Sequence, residues 1–297
     1  LQKMTHVHDA RKKCPNLVII PGNMDLYRKV SDSIFTFIAS EYFSPGERKL
    51  ITIEQYAMDE CYIEVTKLVN SDLWKAIPVS NQLRKAIFKK FGYTCSAGIS
   101  FNKFMSKIAC SYNKPNGQSV IQTVSAAKRL IRNCLIKQVI PGVGEQTSWK
   151  LEQRVGVKTV KDLEKVSFRE LSNLVGDKLA NHILQRAQII DTSLVTEKIY
   201  ALEGGKSIVN ELTFLPVNTM EMVEEKIENV CRALADRVVN DSKKHSRYPT
   251  LITLRYALRD YNSNFTSASR RFNFYELLHS NNQNIEETKI ANVKNAL

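Results

Sequence analysis

Two adjacent carboxylates, Asp59 and Glu60, interrupt a segment that otherwise reads as buried β-structure, from Gln55 to Val65. Successive side chains of a regular strand point to opposite faces, so both acids reach one edge of a sheet only if the chain turns there. We therefore expect a tight turn at 59–60 between two buried strands. Neighbouring carboxylates repel each other and need a cation when buried, and oxygen-only ligands predict Mg²⁺ or Mn²⁺, the ions that organise phosphates for in-line displacement. Taken alone, the pair also fits a solvated hairpin tip.

Two lysines downstream, Lys107 and Lys114, supply the positive charge that would neutralise a triphosphate. Lys107 lies in a helix predicted over 102–112, and Lys114 opens a Lys-Pro-Asn-Gly turn. The strand predicted at 93–100 has small residues along one face, so we expect a close approach to that face. These small residues are Thr94, Ser96, Gly98 and Ser100.

The sequence IPGVGEQT at 140–147 has the spacing of a helix-hairpin-helix, which we place at about 138–163. Gly142 and Gly144 permit a turn that presents backbone N–H groups, backed by a helix N-terminus, to a DNA phosphate. A bare Gly-x-Gly also fits an ordinary loop, but the apolar residues that follow favour the hairpin. Such a motif holds the DNA backbone rather than reading bases, so the predicted binding is independent of sequence and weakened by salt. The candidate DNA-binding residues of this hairpin are Gly142, Val143, Gly144 and Thr147.

The composition of the 297-residue chain favours a polyanionic partner. Lys and Arg number 43 against 30 Asp and Glu, which leaves a formal charge of +13 and a pI near 9.4. No apolar run approaches the roughly 20 residues of a membrane span, and no basic amphipathic helix stands out, so nucleic acid is favoured over a membrane surface. The six cysteines lack the paired spacing of a zinc site or a disulfide framework, and His6-x-His8 has no third ligand.

Strands and helices interleave over about the first 125 residues, which predicts a single α/β unit. Residues 126–192 read as helical throughout. After a Gly204-Gly205 linker, the pattern returns to a strand from Ser207, a helix over 220–239 and two further strands. This last part predicts a small α+β module.

The first of the two last strands, 250–261, alternates apolar residues with polar ones that include Arg255 and Arg259. The apolar face is expected to pack on helices, which leaves the arginine face to lie along a DNA backbone. Arg270 and Arg271 on the following strand are predicted to extend the same patch. An outward basic face without a ligand is the alternative interpretation.

The chain resembles the Y-family translesion DNA polymerases in three segments that occur in the order of that family's palm and thumb: MDECYIEVT, SAGISFNKFMSKIACSYNKPNG and IPGVGEQTSWKLEQRVGVKTVKDL. Within the family, the stretches HDARKKCPNLVII and LYRKVS and the IPGVG hairpin most resemble DNA polymerase iota, with polymerases eta and kappa and the archaeal members more distant. The resemblance implies a multi-domain α+β fold: a palm of mixed α/β structure with an antiparallel sheet, a helical thumb with the helix-hairpin-helix, and an α+β little finger. The implied bounds are 1–23 for a remnant of the fingers, 24–125 for the palm, 126–200 for the thumb and 205–297 for the little finger.

The resemblance also assigns roles to four residues. Asp59 and Glu60 match the palm carboxylates that ligate two metal ions, and Glu60 is the one near the primer 3′ hydroxyl. Lys114 matches the lysine that contacts the incoming triphosphate, and Lys107 matches a lysine of a palm helix. Ala57 stands where many members have Ser.

The function implied by the resemblance is template-directed, low-fidelity DNA synthesis across damaged DNA by two-metal nucleotidyl transfer. The implied cofactor is Mg²⁺ or Mn²⁺, and the implied partners are primer–template DNA and a dNTP. A sliding clamp and other translesion factors would bind through regions outside this sequence. The resemblance further implies a nuclear, monomeric protein with no membrane partner.

The front of the family pattern has no counterpart in this sequence. Family members begin with a strand that carries a further metal-binding Asp and an aromatic steric gate, followed by a Tyr and an Arg that contact the triphosphate. We expect the chain to enter the pattern inside the fingers and to stop before the last strand of the little finger, so that residues 1–297 alone are inactive. The alternative is therefore a catalytically inactive DNA-binding fragment or degenerate paralogue. A helix-hairpin-helix glycosylase or nuclease would leave the Lys-Pro-Asn-Gly segment unexplained.

Overall fold

The computed structural model describes residues 5–259 and 265–273 of the chain. The chain divides into two compact units between Leu202 and Glu203, next to the glycine pair predicted as a linker. Helices and strands occur in both units, as expected for a multi-domain α+β fold. Within the described residues, no helix is long and apolar enough to cross a membrane.

The first part of the first unit interleaves helices with two separate pairs of strands. β1 (Thr52–Gln55) and β2 (Cys61–Glu64) form an antiparallel hairpin in which Gln55 lies opposite Cys61. β3 (Ala97–Ser100) and β4 (Gln118–Ile121) pair in parallel across the intervening helix. The helices of this part are α1 (Val7–Lys13), α2 (Met24–Thr36) with a π-helical continuation (Phe37–Tyr42), α3 (Pro45–Arg48), α4 (Leu73–Phe91) and α5 (Lys103–Tyr112).

Local signals in the sequence set the ends of these helices. The Asn23 side chain accepts a hydrogen bond from the Leu26 N–H at the start of α2, and Asn102 accepts one from Met105 at the start of α5. Gly92 ends α4 with a φ of +76°, a conformation that favours glycine. Helices α2 and α5 therefore both begin at a side-chain cap.

Gly98 brings β3 against α5 with no side chain between the two backbones. A Cβ built on Gly98 would stand 2.0 Å from the Ser106 carbonyl oxygen and 2.2 Å from the Cys110 nitrogen. The Cys110 thiol also donates to the Ser96 carbonyl oxygen at 3.3 Å. The close approach predicted for the small face of this strand is therefore made by a helix of the same chain.

The residues that follow β4 are helical, as the sequence predicted, up to Ala187. Met105 of α5 shares one core with this region, in which Leu151, Leu171 and Ile183 are completely buried. The core thus joins the α/β part to the helical part. The helices are α6 (Val124–Ile131), α7 (Ile136–Val139), α8 (Glu145–Val155), a 3₁₀ helix (Val160–Lys165), α9 (Phe168–Val175) and α10 (Asp177–Ala187).

Residues 191–200, here called the strap, run back from the helical part to the edge of β1. Lys198 makes a parallel bridge to Glu54, and Ile199 is buried in the core that also contains Ile53. The strap leads into α11 (Tyr200–Glu203) and so to the end of the first unit. The sequence pattern had given no element here.

The second unit contains one long helix and one hairpin in its described part. Helix α12 spans Met220–His245, longer than predicted, and β5 (Leu251–Arg259) pairs antiparallel with β6 (Phe265–Asn273). The strand predicted from Ser207 is wrong, because residues 206–217 form neither helix nor strand. This segment is joined to α12 by side-chain hydrogen bonds instead, such as that from Asn210 to the Val230 carbonyl oxygen.

Candidate active site and DNA interface

Residues 56–60, here called the acid loop, connect β1 to β2 and carry both candidate acids. The N–H groups of Tyr56 and Ala57 donate to the Glu60 carbonyl oxygen at 2.9 and 3.1 Å, which closes the loop. The connection is thus five residues long, so the tight turn expected at 59–60 is wrong. Asp59 is exposed and Glu60 half-buried, so neither acid has the full burial that the strand-like sequence suggested.

The acid loop is also fixed from α2. The Ser31 hydroxyl donates to the Met58 carbonyl oxygen, and Ser31 itself is only 7% exposed. This hydrogen bond joins residues 27 positions apart in the sequence and acts on the residue directly before Asp59. The sequence reasoning missed Ser31, because a serine inside an amphipathic helix gives no signal of a distant partner.

Lys107 joins the acid pair. Its Nζ lies 2.9 Å from Oε2 of Glu60 and 4.6 Å from the centroid of the Tyr56 ring. The side chains of Lys107 and Glu60 are 44% and 42% exposed, so this ion pair remains open to solvent and to a ligand. Helix α5 therefore places a cation next to the carboxylate of Glu60.

Lys114 lies at the exposed turn between α5 and β4, and Arg84 fixes that turn. Arg84 of α4 donates to the Cys95 carbonyl oxygen at 2.8 Å and, through Nη2, to the carbonyl and side-chain oxygens of Asn116 at 2.6 and 2.8 Å. Asn116 has a φ of +48°, a strained value for a residue other than glycine. Arg84 thus holds the loops before both parallel strands, a role that sequence spacing did not reveal.

The thiol of Cys110 lies among the charged groups of the site. Burial raises the pKa of Cys110, the positive charge of Lys114 opposes this shift, and the negative charge of Glu60 adds to it. The pKa of the Cys110 thiol therefore responds to charges on both the acid loop and the Lys114 turn. Lys107 lies in the middle of α5 beside Glu60, and Lys114 follows the end of the same helix by two residues.

A second charged cluster, beside Tyr62, had not been predicted. Lys103 Nζ lies 2.8 Å from both carboxylate oxygens of Glu54 and 5.1 Å from the Tyr62 ring centroid. Burial by itself raises the pKa of Glu54, but hydrogen bonds from Lys103 and Thr196 outweigh it and hold the pKa below its ordinary value. Burial also raises the pKa of Tyr62 to about 12, so its hydroxyl stays protonated at neutral pH.

The donor set of the acid loop suits a hard divalent cation. Asp59 and Glu60 offer carboxylate oxygens only, and Mg²⁺ is commonly held by one or two carboxylates together with water and substrate phosphates. Among residues 5–259 and 265–273, no group of three or more His, Cys, Asp or Glu side chains is arranged to hold a metal ion. The described chain thus fits a site in which these two acids supply the protein ligands and further ligands come from elsewhere.

The predicted helix-hairpin-helix forms between α7 and α8. Gly142 has a φ of +85°, Val143 is 4% exposed and anchors the turn in the core, and Gly144 precedes the first residue of α8. The first N–H groups of a helix have no partner within it, so those at the start of α8, up to the partly buried Thr147, are available to an anion. Lys137 Nζ lies 2.8 Å from Glu145 Oε2 across the hairpin.

The β5–β6 ladder divides three of the four predicted arginines between two faces. Arg271 lies opposite Thr253, and Arg255 lies opposite Ser269, so these two arginines share one face. Arg270 lies opposite Leu254 and therefore on the other face, which corrects the expectation that both neighbouring arginines extend one patch. Arg259 pairs with Phe265 at the end of the ladder, and its side chain lies outside the part of the structure that is described.

Two sequence families match parts of the chain. Residues 1–111 match the family described as impB/mucB/samB, and residues 138–191 match the family described as the thumb domain of DNA polymerase iota. The second match spans the hairpin and the helices that bury it.

Curated relatives named DNA polymerase IV match most of the chain. The protein from Listeria innocua is 32% identical over 279 residues, which is 92% of this chain and 70% of the relative. The protein from Colwellia psychrerythraea is 32% identical over 236 residues, and that from Shewanella loihica is 32% identical over 248. The chain spans a little under two thirds of the length of the latter two relatives, 62% and 64% respectively.

Solved structures share the fold. A Y-family DNA polymerase chimera of Dbh and Dpo4 superposes with a TM-score of 0.68 at 21% identity, covering 92% of this chain and 75% of its own. An insertion ternary complex of Dbh DNA polymerase gives 0.60 at 20% identity, with 92% and 72% covered. The fold expected from the sequence, a multi-domain α+β polymerase fold with a helix-hairpin-helix thumb, is thereby confirmed.

The nuclear location expected from the sequence is wrong, because the named relatives are proteins of bacteria, whose cells contain no nucleus. The same relatives establish the family, because the protein from Listeria innocua is 32% identical and this chain covers 70% of its length. The chain belongs to the Y-family of DNA polymerases.

Proposed function

We propose that this protein extends a DNA primer on a template, including a damaged template, by nucleotidyl transfer at the acid loop. The observation that carries the proposal is the ion pair between Lys107 of α5 and Glu60 of the acid loop, with Asp59 next to Glu60 in the chain and Lys114 two residues after the end of the same helix. Two oxygen-ligand acids next to two lysines match the needs of a metal-bound triphosphate. The family membership supports the same reaction.

In this reaction the primer 3′ oxygen attacks the α-phosphorus of the dNTP. The new P–O bond forms as the bond from that phosphorus to the bridging oxygen breaks, the hydroxyl proton passes to solvent water, and pyrophosphate leaves. Divalent metal ions, which Y-family polymerases use, supply charge stabilisation for the attacking and leaving oxygens. Asp59 and Glu60 would hold the ions, specifically Mg²⁺ or Mn²⁺, and Lys107 and Lys114 would bind the triphosphate oxygens.

The helix-hairpin-helix around Gly142 and the β5–β6 ladder are the proposed DNA contacts. The backbone N–H groups at Gly142–Thr147 would bind a phosphate, and Arg255, Arg259 and Arg271 would lie along the backbone of the duplex. Membership of the Y-family of DNA polymerases supports primer–template DNA and a dNTP as the partners. We propose that the protein acts as a monomer.

Two finer properties belong to the proposal. Low fidelity would follow from an active site open enough for lesions. Similarity to the polymerase iota branch is supported by the thumb family matched at 138–191, while the named relatives above are DNA polymerase IV. A fidelity assay on undamaged templates and a comparison of nucleotide preferences opposite each template base would test these two properties.

Primer extension by the full-length protein and its Asp59→Asn variant tests the proposed function. We expect the variant to lose about a thousandfold or more in rate, because one carboxylate ligand is gone, while its affinity for primer–template DNA is unchanged. Asp25→Asn is the control, since Asp25 is an exposed helix acid paired with Arg28. Full synthesis by Asp59→Asn would refute the metal-ligand role.

The alternative function is DNA binding without catalysis. It predicts that the full-length protein binds primer–template DNA but adds no nucleotide with either Mg²⁺ or Mn²⁺. The same experiment therefore separates the two candidates, because the binding measurement and the extension measurement are made on the same sample.

A further inference from the structure

The free edge of β1 is covered by the strap. The Lys198 N–H donates to the Ile53 carbonyl oxygen at 3.0 Å, and the Gln55 N–H donates to the Lys198 carbonyl oxygen at 2.7 Å. These bonds form one parallel bridge beside the antiparallel hairpin, so β1 has a partner on both sides. The backbone groups at the end of β1 are thereby satisfied directly before the acid loop begins.

Charged side chains anchor the strap at two further points. Asp191 accepts from the Phe104 N–H at 3.0 Å and pairs with Arg186 at 2.9 Å, and their side chains are 3% and 14% exposed. The Thr196 N–H donates to Glu54 at 2.8 Å. These contacts hold the strap to α5 at residue 191 and to β1 at residue 196.

Gln55 is the buried polar residue that connects the strap to the acid loop. It is 3% exposed, and its Oε1 accepts from the Tyr200 N–H at 2.8 Å. Its Nε2 donates to the Ala57 carbonyl oxygen at a longer 3.4 Å. Burial of an amide costs free energy unless its groups are hydrogen-bonded. The Oε1 contact therefore favours the observed arrangement of the strap, and the Nε2 contact favours that of the acid loop.

We infer that Gln55 is a positioning residue for Asp59 and Glu60, and that the strap belongs to the working active site. The inference rests on the proposed function for its kinetic part only. Two adjacent carboxylates on a five-residue loop repel each other, so the loop needs support from outside to hold both at one place. Ser31 supports the loop near Met58, and Gln55 supports it at its start.

Gln55→Met tests the inference, because methionine keeps the length of the side chain and loses both hydrogen-bonding groups. We expect amide exchange at Tyr56, Ala57 and Tyr200 to become up to about tenfold faster, as the loss of one or two hydrogen bonds would give. In primer extension, kcat should fall by about ten- to a hundredfold with the KM for DNA nearly unchanged, since misplacement of reacting groups acts on the chemical step. Ile53→Val is the matched control, because Ile53 is buried on the same strand and its side chain makes no hydrogen bond.

Tyr200→Pro provides a second variant that leaves Gln55 intact. Tyr200 is the first residue of α11, where proline is tolerated, and the substitution removes the N–H that donates to Oε1 of Gln55. We expect faster exchange at Tyr56 and Ala57 in this variant also. Unchanged exchange at the acid loop in both variants would overturn the inference, whatever the activity. Absence of primer extension in the unsubstituted protein would instead refute the proposed function, while the exchange data would still decide the role of Gln55.

Discussion

Lys107 Nζ lies 2.9 Å from Oε2 of Glu60, with the Tyr56 ring 4.6 Å from the same nitrogen. A second lysine, near the end of α4, has similar surroundings: Lys90 pairs with Glu41 and lies 4.5 Å from the Phe37 ring centroid. The two pairs are similarly exposed. They therefore form a matched set in which only one lysine lies next to the candidate site.

Lys107→Gln should slow primer extension by about a hundredfold, the typical loss when one group that stabilises transition-state charge is removed. Lys90→Gln should leave the rate unchanged. Both variants should lower the free energy of unfolding by less than about 1 kcal/mol, because exposed ion pairs contribute little. Equal rates for the two variants would contradict a role for Lys107 in nucleotide binding.

The two ends of α8 provide the second prediction. Gly142 precedes the helix with a φ of +85°, and Gly156 ends it with a φ of +69°. Substitution of either by alanine should cost about 1–2 kcal/mol in unfolding free energy, because a Cβ is disfavoured at positive φ. Only Gly142→Ala should also weaken DNA binding, by about tenfold at low salt, since that turn aims the N–H groups at the phosphate. A titration of labelled duplex checks this, and equal DNA affinities of the two variants would count against phosphate binding at the hairpin.

The third prediction concerns two neighbouring arginines. Arg271 shares a face with Arg255, whereas Arg270 lies on the opposite face of the β5–β6 ladder. Arg271→Gln should reduce the slope of log affinity against log salt by about 0.9, the value for one lost phosphate contact. Arg270→Gln should leave the slope unchanged. The reverse result would place the DNA on the face that carries Leu254.

The fourth prediction is an acid transition of the strap. Burial raises the pKa values of Glu54 and Asp191, but hydrogen bonds from Lys103 to Glu54 and from Ser193 to Asp191 hold both below their ordinary values of 4.5 and 3.8. Groups with lowered pKa values stabilise the fold fully above those ordinary values and lose this contribution as the pH falls through the folded pKa. Amide exchange at Thr196 and Phe104 should therefore accelerate below about pH 4.5 relative to the rest of the unit.

Glu54→Gln is the control for this transition. In this variant, amide exchange at Thr196 should no longer accelerate at low pH. Exchange at Phe104 should still accelerate, because its N–H donates to Asp191. Parallel acceleration across the whole first unit in the original protein would show global acid unfolding, and would contradict a separate opening of the strap.

Local patterns predicted much of the fold and part of the candidate site. The apolar spacing after Gly144 predicted the helix-hairpin-helix correctly. Leu151 within α8 and Val157 just after it are both buried, and a short-range apolar pattern is enough to indicate such positions. The acid pair was visible because two carboxylates in an apolar segment conflict with their surroundings. The alternation of β5 likewise gave its two faces, but the face of Arg270 depends on the register with β6, which one strand cannot reveal.

The supporting contacts of the site were beyond sequence reasoning. Glu54 accepts from Thr196 across 142 positions, and Gln55 accepts from Tyr200 across 145. Neither residue differs in type from the ordinary polar residues of an exposed strand, and the strap has no periodicity of its own. Such contacts follow from where the chain returns in three dimensions, so a sequence pattern carries no trace of them.

The contact of Gly98 with α5 bears on how this site tolerates change. The main chain of α5, which carries Lys107, packs directly against the main chain of β3. A Cβ on Gly98 would stand only 2.0 Å from the Ser106 carbonyl oxygen. Substitutions of the surrounding side chains can therefore accumulate over evolution without moving the helix, whereas any mutation of this one glycine shifts it as a whole. We therefore expect the side chains around the site to vary among relatives while the glycine at position 98 stays the same.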